Sequence, residues 1–224
     1  MKLHLISLTL IITTNLFANQ PDTFFLKRVV TDTPYKIYHA IFIDTGMRFK
    51  TRLLNFNFSN YDSATYFGEL NAMPYLPSIK TSIKEFPKKW IALYQWKGKY
   101  YLYHPSDFGY HYRFEITDST SIDFTMEGPE PSRLINVTMP SSSKVMITRK
   151  NLWEGRHLEI IMIDKRKGIA VFTFGPTKFN NKLHQVLMVD AMKAHLYPII
   201  VNYCATDKQS EFDFDKVNFK SLLN

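Results

Sequence analysis

The stretch HPSDFGYH, residues 104–111, brings His104, Asp107 and His111 within eight positions, the nearest approach in the sequence to a metal cluster. Imidazole and carboxylate both suit zinc. The spacing matches no established ligand pattern, however, and alternation along the following strand groups His111 with Arg113 and Glu115 on a solvent face. Pro105-Ser106-Asp107 reads as an ordinary turn, so no metal is assigned. Glu115 and Asp123 form a second candidate, an acid/base pair, provided that their strands set the two carboxyls side by side. Cys204, the single cysteine, would need a neighbouring base to act as a nucleophile, and His184 or His195 would have to supply it. Its surroundings, YPIIVNYCATD, are apolar and β-branched, which predicts a buried, inert thiol instead. The sequence has no glycine-rich phosphate loop, GxSxG elbow or HExxH pair. It offers no specific argument for an enzyme, and no catalytic residue or cofactor is assigned.

A denser signal is aromatic. Residues 90–114, WIALYQWKGKYYLYHPSDFGYHYRF, contain ten Trp, Tyr or Phe among 25. Lys97-Gly98 between two alternating runs predicts a two-residue hairpin loop. That loop sets Trp96 opposite Lys99, Tyr94 opposite Tyr101, Leu93 opposite Leu102 and Ala92 opposite Tyr103. One face then carries Trp90, Tyr94, Trp96, Tyr101 and Tyr103; the other carries Ile91, Leu93, Gln95, Tyr100 and Leu102 and is the better core. The Trp/Tyr row has apolar bodies and polar tips and suits an amphipathic ligand or a protein partner. The same row is also what cross-strand packing in a sheet would use.

The elements that position these residues have period two. YKIYHAIFID, MRFKTRLLNFNF, KWIALYQW, KYYLYH, YHYRFEITD, SIDFTM, RLINVTM, KVMITRK, HLEIIMID and GIAVFTFG are strand-length runs rich in aromatic and β-branched residues. Turn signals at Asp44-Thr45-Gly46, Lys97-Gly98, Gly128-Pro129-Glu130-Pro131, Pro140 to Ser143 and Lys167-Gly168 separate them. Connections this short predict an antiparallel meander without parallel crossovers. In the second hairpin, a loop at Ser119 to Ser121 keeps Phe114 and Ile116 on one face with Ile122, Phe124 and Met126. That register places Arg113 opposite Glu127 and avoids the like-charge pair Glu115/Asp123. Helical spacing of Tyr66, Phe67, Leu70 and Met73 behind Asp62 as a cap predicts a helix over 60–73; Ser78 to Phe86 and Asp190 to His195 repeat the idea more briefly.

Residues 1–18 have a lysine, an apolar stretch from Leu3 to Ile12 and a small residue at Ala18, the shape of a secretory signal peptide. The stretch is shorter than a bilayer span needs. Cleavage after Ala18 would leave 27 basic and 20 acidic side chains, a formal +7, without a transmembrane segment. Six lysines between Lys80 and Lys99, Lys80, Lys84, Lys88 and Lys89 among them, face a single acid and could meet an anionic surface. Export and the scarcity of arginine in that cluster argue against nucleic acid. The expectation is a single domain over 19–224, all-β, an antiparallel barrel or strongly curved sheet with one or two short helices. Its expected role is a secreted or periplasmic, non-enzymatic binding protein for an apolar or amphipathic ligand. The alternative is a protein-interaction module, an inhibitor or immunity-type partner using the lysine-rich surface; a hydrolase is third.

Overall fold

The computed structural model describes residues 22–29, 37–73, 79, 83, 86–106, 112–125, 127–178, 180–204 and 210–223. The expected signal peptide, Lys80, Lys84, Asp107, His111 and most of the expected helix over 78–86 lie outside them. Strands β1 (Asp22–Val29) and β2 (Ile37–Asp44) lead into helices α1 (Lys50–Leu53) and α2 (Asn60–Ala72). Then come β3 (Lys89–Trp96), β4 (Lys99–His104), β5 (Arg113–Ile116), β6 (Thr120–Thr125), β7 (Gly128–Ser141), β8 (Lys144–Lys150), β9 (Gly155–Asp164), β10 (Ile169–Phe174) and β11 (His184–Asp190). A 3-10 turn at Ala191–Leu196, β12 (Ile199–Cys204) and α3 (Phe219–Leu223) complete the order. Among the described residues, no helix is long and apolar enough to cross a membrane.

Eight strands close into an antiparallel barrel in the order β3-β11-β10-β9-β8-β7-β6-β5, and β5 pairs back onto β3. The others extend from β3 as β4-β12-β2-β1. Closure removes sheet edges and gives every strand an inside and an outside. Inside, Trp90, Phe114, Leu134, Ile147, Leu158 and Phe172 belong to one buried cluster, which Ile83 and Phe86 join ahead of β3. Outside, Ile91, Leu93, Ile122, Phe124 and Leu187 are buried under Leu53, Phe56, Tyr66 and β12. Both faces of β3, β6 and β11 are therefore core, whereas β8 leaves Met146 exposed outside.

Several expectations are corrected. MRFKTRLLNFNF forms α1 and irregular chain rather than a strand, and its Phe56 and Phe58 cover Phe124 at 5.4 and 5.9 Å between ring centroids. Helix α2 is capped by Ser59, not Asp62. Asp62 is the third helical residue and completes a capping box: Ser59 Oγ accepts from Asp62 N–H at 3.1 Å and an Asp62 carboxylate oxygen accepts from Ser59 N–H at 3.0 Å. Gly128 to Pro131 lie in β7, not in a turn. Two prolines at alternate positions can share the side of an antiparallel ladder whose N–H groups need no partner, and β8 pairs with β7 only from Arg133 onward. One pair, β4 with β12, is parallel; the two strands come from distant parts of the chain, so no crossover is required.

The second hairpin departs most. Arg113 faces Phe124, Phe114 faces Asp123 and Glu115 faces Ile122, joined by a two-residue Asp118-Ser119 loop. Thr117 and Thr120 stabilise it: Thr117 N–H donates to Thr120 O at 2.8 Å and Thr120 N–H to Thr117 Oγ1 at 2.9 Å. The expected register kept every apolar side chain on one face because only one face was assumed to be covered. With α2 and Phe56 outside, β6 can bury Ile122 and Phe124 outward and turn Ser121 and Asp123 inward. Glu115 and Asp123 are on opposite faces, so no carboxyl pair forms.

Candidate functional site

The barrel interior divides along its axis. At one end Trp90 is wholly buried, 5.7 Å from Phe86 and 5.2 Å from Phe172 between ring centroids, and its Nε1–H donates to Pro87 O at 2.9 Å. At the other end the side chains stop filling the space, leaving a cavity of about 760 Å³. Its lining includes Ala92, Tyr94, Tyr112, Phe174 and Val186, with Asp123 and Arg149 below.

That floor is a polar network in which the buried Arg149 Nε alone of the guanidinium nitrogens has no hydrogen-bond partner. The Arg149 guanidinium, with no exposed side-chain surface, forms a two-point ion pair with the Asp123 carboxylate through Nη1 and Nη2. Nη1 also donates to Ser121 Oγ at 3.1 Å, and Tyr112 OH donates to Asp123 Oδ1 at 2.7 Å. The guanidinium carbon lies 5.2 Å from the Phe114 ring centroid and 5.7 Å from that of Phe174, within cation–π range. Burial disfavours charge on Arg149, but neighbouring Asp123 outweighs it and raises its pKa above the ordinary value. Burial, reinforced by the Asp123 charge, holds the Tyr112 hydroxyl well above the usual tyrosine range. Removing either Asp123 or Arg149 would strand a buried charge.

The cavity also has a side opening. Strand β3 pairs with β11 from Trp90/Asp190 to Leu93/Leu187, where the ladder ends. Beyond that point Tyr94, Gln95 and Trp96 pair with β4, while His184, Gln185 and Val186 pair with β10. The two strands part, and residues from both of their faces line the cavity. Phe214, Asp215, Val217 and Phe219 line it across the gap.

The aromatic row is placed by this divergence. The hairpin register holds at Trp96/Lys99, Gln95/Tyr100 and Tyr94/Tyr101, and Lys97 and Gly98 take positive φ of 49° and 72°, as a type I′ turn requires. Leu93/Leu102 and Ala92/Tyr103 are not ladder partners, because β4 leaves to pair with β12 and Ala92 N–H donates to Tyr112 O. Trp90 lies in the barrel core, while Tyr94, Trp96, Tyr101 and Tyr103 join Phe212, Phe214 and Ile200 in a separate cluster. Tyr101 and Tyr103 are buried, and Tyr94 alone of the five lines the cavity. Burial, with the charge of Glu211, pushes the Tyr94 pKa up to about 12.

Other candidates have local partners. Lys88 pairs with Asp118 at 3.2 Å and Lys89 with Glu115 at 3.6 Å. Burial raises the Glu115 carboxyl above its usual range, opposed by Lys89. His104 is half-buried; its Nδ1 lies 3.0 Å from Pro105 O, and burial lowers its pKa. Groups of three or more metal-ligating side chains are absent among the described residues. Cys204 ends β12, partly exposed. Sequence reasoning missed Arg149 and Tyr112 as floor residues. The available signal was the charged Arg149 at an inward position of KVMITRK, in step with Val145 and Ile147, opposite the polar face of SIDFT.

The fold and site define a class, a closed eight-stranded barrel packed at one end and hollow at the other. Comparison with protein-family models, curated proteins and solved structures finds no match.

Proposed function

We propose that the chain is a non-enzymatic binding protein that holds a small amphipathic ligand in the hollow end of the barrel. The observation that carries this is the division of the interior: a packed apolar core below, and above it a cavity of about 760 Å³ with apolar walls and a polar floor. That size lies within the roughly 300–1,000 Å³ of small-molecule sites, which also combine apolar walls with a few fixed polar groups. The ligand's apolar body lies against Tyr94, Phe174 and Val186, and its polar group approaches Asp123 and Tyr112. The floor groups hydrogen-bond one another, so they orient a ligand rather than stand ready to exchange protons with it. The signal-like residues 1–18 support an exported, periplasmic or secreted setting.

The test is calorimetric titration with decanoate, decanol and decylamine, one apolar chain with three head groups. Saturable 1:1 binding of at least one is expected. Ala92→Trp, which fills the cavity from β3, should abolish it while circular dichroism stays that of a folded barrel. Unchanged binding in the folded variant would place the ligand elsewhere, and no binding of any of the three would sink the proposal.

A further inference from the structure

The aromatic cluster beside the cavity is already occupied, by this chain. Residues 210–217, SEFDFDKV, run without helix or strand past β3, β4 and β12. Phe212 lies 5.6 Å from Trp96 and 5.9 Å from Phe24 between ring centroids; Phe214 stacks on Tyr94 at 4.5 Å and meets Tyr103 edge-on at 5.0 Å. The backbone is held at intervals. Asn202 Nδ2 donates to Ser210 O at 2.9 Å, Phe212 N–H to Tyr103 OH at 2.9 Å, and Asp215 N–H to Gln95 O at 2.9 Å. Tyr103 OH in turn donates to Glu211. Alternate aromatic side chains seated in pockets, with one main-chain bond to β3 and two backbone bonds to side chains, resemble the recognition of an extended peptide at a sheet edge.

We infer that residues 210–217 are a displaceable strap: an intramolecular peptide ligand of the Tyr94/Trp96/Tyr103 groove that closes the side opening where β3 and β11 part. Three features support displacement. The barrel closes through β3–β5 pairing without the strap. The strap has isolated anchors, whereas β10 pairs with β11 at every residue from Ile169 to Phe174, and local opening favours segments of the first kind. Tyr94 touches Phe214 on one side and lines the cavity on the other, so strap and ligand share a wall. The groove's own recognition chemistry is thus an acidic Phe-x-Phe segment, and its occupancy governs access to the cavity. The access step rests on the ligand site proposed above; the peptide site does not.

The experiment uses the full chain. A labelled SEFDFDKV peptide is titrated into wild type and into Phe212→Ala/Phe214→Ala, with folding checked by circular dichroism. In wild type the tethered strap competes at an effective concentration on the order of millimolar, so free peptide at roughly 10–100 μM should bind only the variant. Whichever of decanoate, decanol and decylamine binds wild type should associate with the variant at least about tenfold faster, and added peptide should reverse that gain. As a second variant, Tyr103→Phe keeps the ring and removes the hydroxyl; it should speed amide exchange at Phe212 by about tenfold or more relative to β9 and β10. A folded double variant that takes up no peptide, or Tyr103→Phe exchange equal to wild type, overturns the strap. Peptide uptake with an unchanged association rate of that ligand overturns gating alone. If decanoate, decanol and decylamine all fail with wild type while peptide binds the variant, the cavity proposal falls and the strap site stands.

Discussion

Phe172 and Phe174 stand two residues apart on β10 and point to the same side, yet they serve different ends of the barrel. Phe172 is wholly buried against Trp90 and Phe114, at 5.2 and 5.4 Å between ring centroids. Phe174 is half-buried, faces Arg149 and lines the cavity. The difference teaches that one alternating pattern can build a stabilising core and a cavity wall on the same strand. What changes is the partner: Trp90 and Phe114 around Phe172, the Tyr112 ring and the Arg149 guanidinium around Phe174.

Substitutions can break that contrast. Phe172→Ala should cost about 3–5 kcal/mol in urea denaturation, as large-to-small changes in a packed core do, while Phe174→Ala should cost less than half as much. Equal losses would mean that the hollow end is as tightly packed as the other. Asp123→Ala leaves the Arg149 charge unpaired and should also cost about 3–5 kcal/mol. The double change Asp123→Leu/Arg149→Met should recover most of it, because it removes both charges; if the double variant is no more stable than Asp123→Ala, the floor is more than a paired charge.

Alkali probes the hollow end through Tyr94, although burial also raises Tyr197, outside the barrel, to about 12. The Tyr94 pKa is raised in the folded state from 10.0 to about 12, so its contribution is complete below pH 10 and is lost as pH rises from 10 to about 12, where the unfolded chain ionises first. Stability of wild type should fall across that window, and Tyr94→Phe should flatten part of the fall. The smallest effect expected lies outside the barrel: Ser59→Ala removes the α2 cap and should cost about 1 kcal/mol, without changing ligand titrations.

The sequence made the barrel legible through period two, and Leu93, Leu102, Phe114 and Ile116 are buried as alternation requires. It located the Lys97-Gly98 hairpin because the glycine and its flanks are local signals. It did not yield the β5–β6 register, since that depends on what covers the outer face, and α2 and Phe56 arrive from elsewhere in the chain. The same non-local cause hid the floor: Asp123 turns inward only in the observed register, and Arg149 is a site residue only because Asp123 does. The aromatic row was visible as a row, but its division between barrel core and outer groove follows from β4 leaving β3 for β12, a pairing that no local pattern encodes. Strands β1, β11 and β12 lie outside the runs that alternation predicts, although IIVNYC is apolar and β-branched.

The place of β12 has a consequence for synthesis. The β1–β2 pair precedes the barrel strands in the chain, yet among the described residues its strand pairing to the rest of the sheet runs through β12, which follows them all. During elongation the first hairpin therefore waits with an unpaired β2 edge while the barrel strands emerge behind it. An exposed edge of this kind invites pairing with other chains. The nascent chain should be most prone to aggregate before residues 199–204 are available, and a holding chaperone should matter more during its synthesis than after release.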